Sequence, residues 1–380
     1  MDQDYEYMQV ALTLARRATG RTSPNPMVGA VLVKDGQIVG QGYHRKAGTP
    51  HAEVHALAEA GQNAAGATLY VTLEPCSHYG RTGPCAKAVI EAGIKRVVVA
   101  MTDPNPLVAG RGLVLLREAG LEVVEGIMAE EAARLNEVFI KWVSTGLPFG
   151  VLKTATTLDG KIATQSGHSK WITGENARQG VHELRDTYDA ILVGIGTVLA
   201  DNPALTTRLP QGGKNPTRVI VDSFARTPLN AQVMCDGLAP TLIAVTEQAP
   251  RDNIAALQAK GAEVLVVPQK ENRVDARALF RILGERAITS VMIEGGAEIN
   301  ASVLNANLVD KVYTYIAPKI IGGKGAPGSV GGMGPERIEE AVLLEDMSVT
   351  ACGEDILVTA YVKEREGRHV YRTCGRIGIC

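Results

Sequence analysis

The chain has 380 residues, 45% of them hydrophobic and 21% charged, with 39 basic against 41 acidic side chains and a formal net charge of −2. That length suits two ordinary domains, and the composition excludes collagenous, coiled-coil and disordered classes. Near-neutral charge argues against a dedicated nucleic-acid surface, and no apolar run reaches membrane-spanning length.

The start, Met1-Asp2-Gln3-Asp4, is acidic where a secretory leader needs lysine or arginine. Six cysteines show no disulfide-framework spacing, so a reducing compartment, the cytoplasm, is expected. Tyr5, Met8, Leu12 and Ala15 recur at helical spacing and predict a helix over 3–18. Strands are expected at 27–34 and 37–43, joined by a hairpin turn at Asp35-Gly36. A helix then begins at His51, with Thr49 as its N-cap and Pro50 in its first position. A strand at 68–73, a helix at 85–93, a strand at 96–100, a helix at 110–120 and a strand at 122–125 follow. This alternation implies a largely parallel, helix-covered sheet.

A helix over 128–143 stops at Ser144-Thr145-Gly146-Leu147-Pro148, a run that ends helices and marks a domain boundary. Strands are then expected at 150–156, 190–194, 218–222, 241–246, 263–267, 290–294 and 311–317. No internal repeat links the halves. Two different α/β domains are expected, at 1–146 and 147–363, with a disordered tail at 364–380.

His51-Ala52-Glu53, Pro75-Cys76 and Pro84-Cys85 carry the sharpest chemistry. One histidine and two cysteines make three zinc ligands and leave a fourth position for water, as catalytic rather than structural sites do. A glutamate that is not a ligand then shuttles protons. The spacing follows the zinc-deaminase pattern H-x-E…P-C-x-x-C in its first half. It departs in the second, where Ser77 through Pro84 separate the cysteines. His51 and His55 are four apart, but a metalloprotease helix needs glutamate directly after the first histidine, and Ala52 stands there. No fourth cysteine lies nearby for a structural site, and His55 reads as a packed or surface helix residue.

In the second half, Gly194-Ile195-Gly196-Thr197 and Glu294-Gly295-Gly296-Ala297-Glu298 each follow a strand and lead into a helix. Such turns let a phosphate approach backbone N–H groups. Leu199 occupies the third glycine position of a Rossmann fingerprint, and a tight turn is the plainer reading. The residues alone leave this domain without a named reaction.

Longer segments carry a resemblance. Ser23-Pro24-Asn25-Pro26-Met27-Val28-Gly29, Thr72-Leu73-Glu74-Pro75-Cys76, His78-Tyr79-Gly80-Arg81-Thr82 and Asp103-Pro104-Asn105-Pro106 resemble the bifunctional riboflavin-biosynthesis deaminase/reductase family. So do Lys153 through Lys161, Ser169-Lys170-Trp171-Ile172-Thr173, Asp201 through Arg208 and Glu294-Gly295-Gly296. The wide cysteine spacing is the norm in that family, and the resemblance spans about residues 4–363.

It implies a cytidine-deaminase-like α/β/α zinc domain followed by a dihydrofolate-reductase-like α/β domain. The first would hydrolytically deaminate 2,5-diamino-6-(5-phosphoribosylamino)pyrimidin-4-one, with one zinc per chain and Glu53 moving the proton. The second would use NADPH to reduce the ribosyl side chain to ribityl. Residue by residue, it implies deaminase substrate contacts at Asn25, His44, His78, Arg81 and Asn105. Cofactor contacts fall at Ala155, Trp171, Thr197, Asp201, Ser223 and the run Gly296, Ala297, Glu298, Ile299, Asn300, Ala301 and Ser302. Reductase substrate contacts fall at Ser169, Arg185, Leu205, Arg208 and Glu294, with Arg185 and Arg208 suited to a ribose phosphate. The role of Lys153 is left open. The implied partners are a small pyrimidine ribosyl phosphate and further copies of the chain, with no nucleic acid and no membrane.

Two rivals are weighed beside this reading. One is a cytidine or tRNA adenosine deaminase fused to an unrelated α/β domain. The other is a zinc-stabilised binding module without activity, in which Glu53→Gln would change nothing.

Overall fold

A computed structural model describes residues 2–77, 83–106 and 108–363. The expectations for His78, Arg81 and the tail at 364–380 therefore lie outside the described residues. The chain divides into two compact units, one reaching Gly146 and the other beginning at Leu147.

In the first unit, β1 (Gly29–Lys34), β2 (Gln37–Tyr43), β3 (Thr68–Val71), β4 (Arg96–Val99) and β5 (Glu122–Glu125) form a sheet ordered β2-β1-β3-β4-β5. The sheet expected to be largely parallel is mixed. β1 runs antiparallel to both β2 and β3, while β3, β4 and β5 are parallel. The cause is local: Asp35 and Gly36 take left-handed φ values of 50° and 76°, which reverse the chain in a two-residue turn and force an antiparallel pair.

Alternate strand residues feed two cores, as a period of two requires. Leu32, Leu69, Val71, Val97 and Val99 pack with the alanines of helix Ala52–Ala60. Val31, Val33, Tyr70 and Val98 pack with Met8, Ala11 and Leu12 of helix Asp2–Arg16. The first of these helices lies very close to β2. A Cβ at Gly40 would sit 2.3 Å from the Ala56 carbonyl oxygen, and one at Gly42 would sit 2.6 Å from that of Ala52. This contact fixes the start of the helix, and with it His51 and Glu53.

The single helix expected over 128–143 is two, Ala129–Leu135 and Glu137–Thr145. The break is at Asn136, whose Oδ1 accepts from Met27 N at 2.8 Å and whose Nδ2 donates to Met27 O at 3.0 Å. An amide drawn to distant backbone in this way competes with regular helix.

The second unit holds β6 (Phe149–Thr157), β7 (Ala190–Gly194), β8 (Thr217–Val221), β9 (Thr241–Val245) and β10 (Glu263–Val266). A small hairpin, β11 (Gln269–Lys270) and β12 (Arg273–Val274), precedes β13 (Ser290–Ile293), β14 (Lys311–Ala317), β15 (Leu344–Cys352) and β16 (Asp355–Val362). The main sheet is ordered β10-β9-β8-β7-β13-β6-β14-β16-β15. It is parallel from β10 to β14 and antiparallel beyond. The β15–β16 hairpin is an addition to the expected strands. β15 forms the sheet edge and most of its residues are exposed, so it lacks the buried alternation that marks a strand in sequence. Among the described residues, no helix is long and apolar enough to cross a membrane.

Candidate functional site

His51 is the N-cap of helix Ala52–Ala60, in an extended conformation (φ −75°, ψ 167°). This corrects the expected cap. The Thr49 hydroxyl donates to Lys46 O at 2.7 Å, and the helix starts one residue after His51. The extended backbone carries the imidazole toward two sulfurs. His51 Nδ1 lies 3.6 Å from Cys76 Sγ and 3.3 Å from Cys85 Sγ, and the three donor atoms lie within 4.8 Å of one another. Cys85 opens helix Cys85–Glu91, and its backbone N–H donates to Cys76 Sγ at 3.3 Å.

The electrostatics of this cluster suit a cation. A hydrogen bond from Cys85 and the nearby His51 lower the Cys76 thiol well below its usual range, and the same sulfur together with burial pushes Cys85 upward. Two adjacent sulfurs do not both ionise unaided, and a divalent cation is what lets them do so. One histidine and two thiolates are a zinc donor set.

Glu53, two residues after His51, is 3% exposed. Its Oε2 is buried without a hydrogen-bond partner among the described residues, and burial pushes the carboxyl up to about 7, against the opposing pull of His51. A lone carboxyl oxygen near neutrality can both take and return a proton.

Asn25 and His44 are brought to the same place. His44 is 2% exposed, and its ring meets that of His51 edge-on at 5.3 Å between centroids. Its Nδ1 lies 3.2 Å from Pro50 O, and its Nε2 lies 3.2 Å from Asn25 Nδ2. The carbonyl only accepts, so Nδ1 carries the hydrogen and Nε2 accepts from the amide. Burial lowers the His44 pKa and favours this neutral form. Asn105 is half-buried in the loop after β4, where Asp103 Oδ1 accepts its N–H at 2.8 Å.

In the second unit, the C-terminal ends of neighbouring β7 and β13 lead into helices Ile195–Asp201 and Ala297–Asn305. The glycines here serve packing. A Cβ at Gly194 would lie 2.7 Å from Ile299 Cγ1, and one at Gly295 would lie 2.6 Å from Ile299 Cγ2. A Cβ at Gly296 would reach only Thr197 Oγ1, at 3.8 Å. Glu298 pairs with Arg273, while Asn300 Nδ2 donates to Ser329 O at 2.8 Å. Ala301 is buried and Ser302 lies in the same helix. Ala155 stands on β6 opposite Tyr315, and Asp201 ends its helix. Ser223 Oγ accepts from Val274 N at 3.2 Å, which ties it to β12. Ser169 precedes Trp171, whose ring is 64% exposed with the Arg178 guanidinium 4.8 Å from its centroid. Lys319 Nζ holds that segment through the Trp171 and Ile172 carbonyls.

Two cations far from Glu294 in sequence, Arg185 and Lys153, converge on it. Arg185 Nε and Nη2 donate to its two carboxylate oxygens at 2.8 and 3.0 Å, and Lys153 Nζ lies 3.5 Å away. Burial would raise Glu294, but Arg185 and Lys153 outweigh it and hold the carboxyl at about 2. The third arm of Arg185, Nη1, donates to Thr206 O at 3.0 Å. Arg185 and Arg208 were expected to grip one phosphate together. The structure brings them together, but Arg185 is committed to Glu294 and Thr206, and the exposed guanidinium is that of Arg208. Arg208 N donates to His182 Nδ1 at 3.3 Å. Leu205 is buried with a left-handed φ of 52°, a strained state for a branched residue. Lys153, left open from sequence, finds its partner here, because only the fold joins it to Glu294.

Comparison with known proteins matches both units. The family described as "RibD C-terminal domain" matches residues 148–358, and the "cytidine and deoxycytidylate deaminase zinc-binding region" matches residues 1–101. The riboflavin biosynthesis protein RibD of Actinobacillus pleuropneumoniae is 47% identical over 93% of this chain and 94% of its own. The structure of Acinetobacter baumannii RibD superposes with a TM-score of 0.86 at 40% identity, covering 96% of this chain and 99% of that one. The diaminohydroxyphosphoribosylaminopyrimidine deaminase/5-amino-6-(5-phosphoribosylamino)uracil reductase of Thermotoga maritima superposes with a TM-score of 0.84 at 38% identity, covering 95% and 99%. The match over the second unit removes the rival in which an unrelated domain follows the deaminase.

Proposed function

The chain belongs to the RibD family of riboflavin-biosynthesis proteins, and from that premise we propose which of its residues carry each reaction. It is a bifunctional enzyme, a zinc-dependent deaminase and a reductase. We assign deamination of 2,5-diamino-6-(5-phosphoribosylamino)pyrimidin-4-one to residues 1–146, and NADPH-dependent reduction of the ribosyl side chain to residues 147–363. The observation that carries the first assignment is the unpartnered, buried Oε2 of Glu53 beside three converging metal donors.

His51, Cys76 and Cys85 hold the zinc. Bound there, zinc supplies Lewis acidity and a water acidic enough to lose a proton near neutral pH. Glu53 takes a proton at Oε2 and returns it to the departing amine, which its position near neutrality allows in both directions. Asn25 and the neutral His44, fixed by Pro50, orient the pyrimidine. Asn105 contacts the same substrate, and His78 and Arg81 are assigned to it by resemblance.

For reduction, helix Ala297–Asn305 opens at the C-terminal end of β13, a placement that favours a dinucleotide phosphate. NADPH, when bound, supplies the hydride. Trp171 offers an exposed ring to the cofactor, with Ala155, Thr197, Asp201, Ser223 and the run 296–302 around it. Arg208 binds the ribose phosphate from its exposed position, while Arg185 and Lys153 keep Glu294 anionic as a hydrogen-bond acceptor for substrate. Ser169 and Leu205 complete that side. The reducing cytoplasm, which keeps the ligand thiols free, is the setting we assign.

We also infer that copies of the chain self-associate through the exposed edge strand β15. Leu344, Met347 and Val349 are 46%, 65% and 59% exposed there, the kind of apolar edge that pairs with another chain. Met347→Asp with Val349→Asp should lower the mass measured by sedimentation, and an unchanged mass would place the interface elsewhere.

The test of the assignment is turnover of the diaminopyrimidinone phosphate, with ammonia and NADPH oxidation followed separately. The full chain should show both. Truncation after Leu147 should keep ammonia release and abolish NADPH oxidation. Reduction by the isolated first unit would overturn the division of labour.

A further inference from the structure

Glu74 stands between the end of β3 and the ligand Cys76, and it is 3% exposed. Its carboxylate is no part of the three-donor cluster. It accepts three backbone hydrogen bonds from one distant segment. Oε2 accepts from Asp103 N at 3.1 Å and Gly110 N at 2.9 Å, and Oε1 accepts from Gly112 N at 2.8 Å. The backbone adds a fourth tie, from Glu74 N to Met101 O at 3.0 Å. The segment so held carries Asn105 and leads into helix Arg111–Glu118.

The sequence supplies no side-chain cap at the start of that helix, since its N-cap is Gly110. Glu74 takes over the task from a strand end, and a carboxylate is the favoured partner for first-turn amides. The fit is tight: a Cβ at Gly112 would lie 2.1 Å from the Pro75 carbonyl oxygen. Inside the segment, the Asn105 carbonyl accepts from Val108 N at 2.8 Å and Ala109 N at 3.0 Å. The position of Asn105 is thus set by a chain of bonds that ends on the residue two before Cys76.

We propose that Glu74 is a positioning residue for deamination, locking the segment 103–112 to the strand end that bears Cys76 and so fixing Asn105 relative to the metal ligands. This rests on the reading of Asn105 as a substrate contact. Glu74→Gln keeps the shape but turns an NH2 group toward backbone N–H donors that need an acceptor.

The experiment uses full-length Glu74→Gln, Asn105→Ala and the double variant, with zinc content, the deamination KM and kcat, and NADPH oxidation measured in each. Asn105→Ala should raise KM by about tenfold, and Glu74→Gln should raise it by a similar factor with zinc retained and kcat changed far less. The double variant should be no worse than the single variants, because residues acting through one contact are not additive. Retained zinc reports that the first unit is folded, and NADPH oxidation with the deaminated intermediate reports the same of the second. An unchanged KM in Glu74→Gln, additive effects in the double variant, or loss of zinc would each overturn the proposal. A silent Asn105→Ala would instead remove the substrate reading of Asn105, and the proposal with it. If Glu74→Gln does not fold, Gly112→Ala takes its place in the same cycle, since it pushes the segment off Pro75 from the other side.

Discussion

Glu53 in the first unit and Glu294 in the second are both buried carboxylates, yet one is raised to about 7 and the other held at about 2. Burial pushes both upward. Glu53 has one carboxyl oxygen without a partner, whereas Glu294 is gripped on both oxygens by Arg185 and approached by Lys153. The difference teaches that burial raises a carboxyl and that cationic neighbours decide whether the rise survives. It also separates the two chemistries. A carboxyl near neutrality is a proton carrier, while one held far below neutrality is a fixed anion.

The largest effect expected from this contrast is at Glu53. Glu53→Gln should lower deamination by about a thousandfold, with zinc content retained and NADPH oxidation retained when the deaminated intermediate is supplied. Unchanged ammonia release would remove Glu53 as the proton carrier and would revive the inactive binding module. Next comes Glu294→Gln, which strips Arg185 and Lys153 of their anion. Leaving buried charges unpaired should cost the second unit about 3 kcal/mol, seen as NADPH oxidation lost at lower denaturant while deamination persists. Equal stability would show that the cluster does not depend on that charge.

The smallest effect concerns His182, on helix Glu175–Thr187. Burial first, then Arg185 and Arg208, lower its pKa from 6.5 to about 4. A folded value below the unfolded one means the stabilisation is present above pH 6.5 and is lost as the pH falls toward 4. Melting temperature should therefore drop across that window, and His182→Asn should flatten the drop. A variant that tracks the parent would assign the acid sensitivity to other groups.

The units also differ in how much of them could be read from the chain. His51, Glu53, Cys76 and Cys85 announce a metal site because few other duties call for those residue types in that order. Lys153 and Arg185 are ordinary charged residues, 141 and 109 positions away from Glu294. Nothing local marks them as partners. The glycine turns after β7 and β13 lay between these extremes. Their strand-to-helix context was legible, but the close packing of Ile299 against Gly194 and Gly295 was not.

By itself the sequence determined the alternation of strands and helices, the boundary near Gly146, and the candidate metal donors, because hydrophobic period, helix-ending residues and ligand chemistry are local properties. Tertiary structure alone decided the edge hairpin of β15 and β16, the break at Asn136, and His51 as the N-cap of its helix. It also decided which buried glutamate keeps its proton near neutrality and which is held as an anion. Those outcomes depend on what each backbone and side chain meets across the fold, where charges and hydrogen-bond partners act through space rather than along the chain.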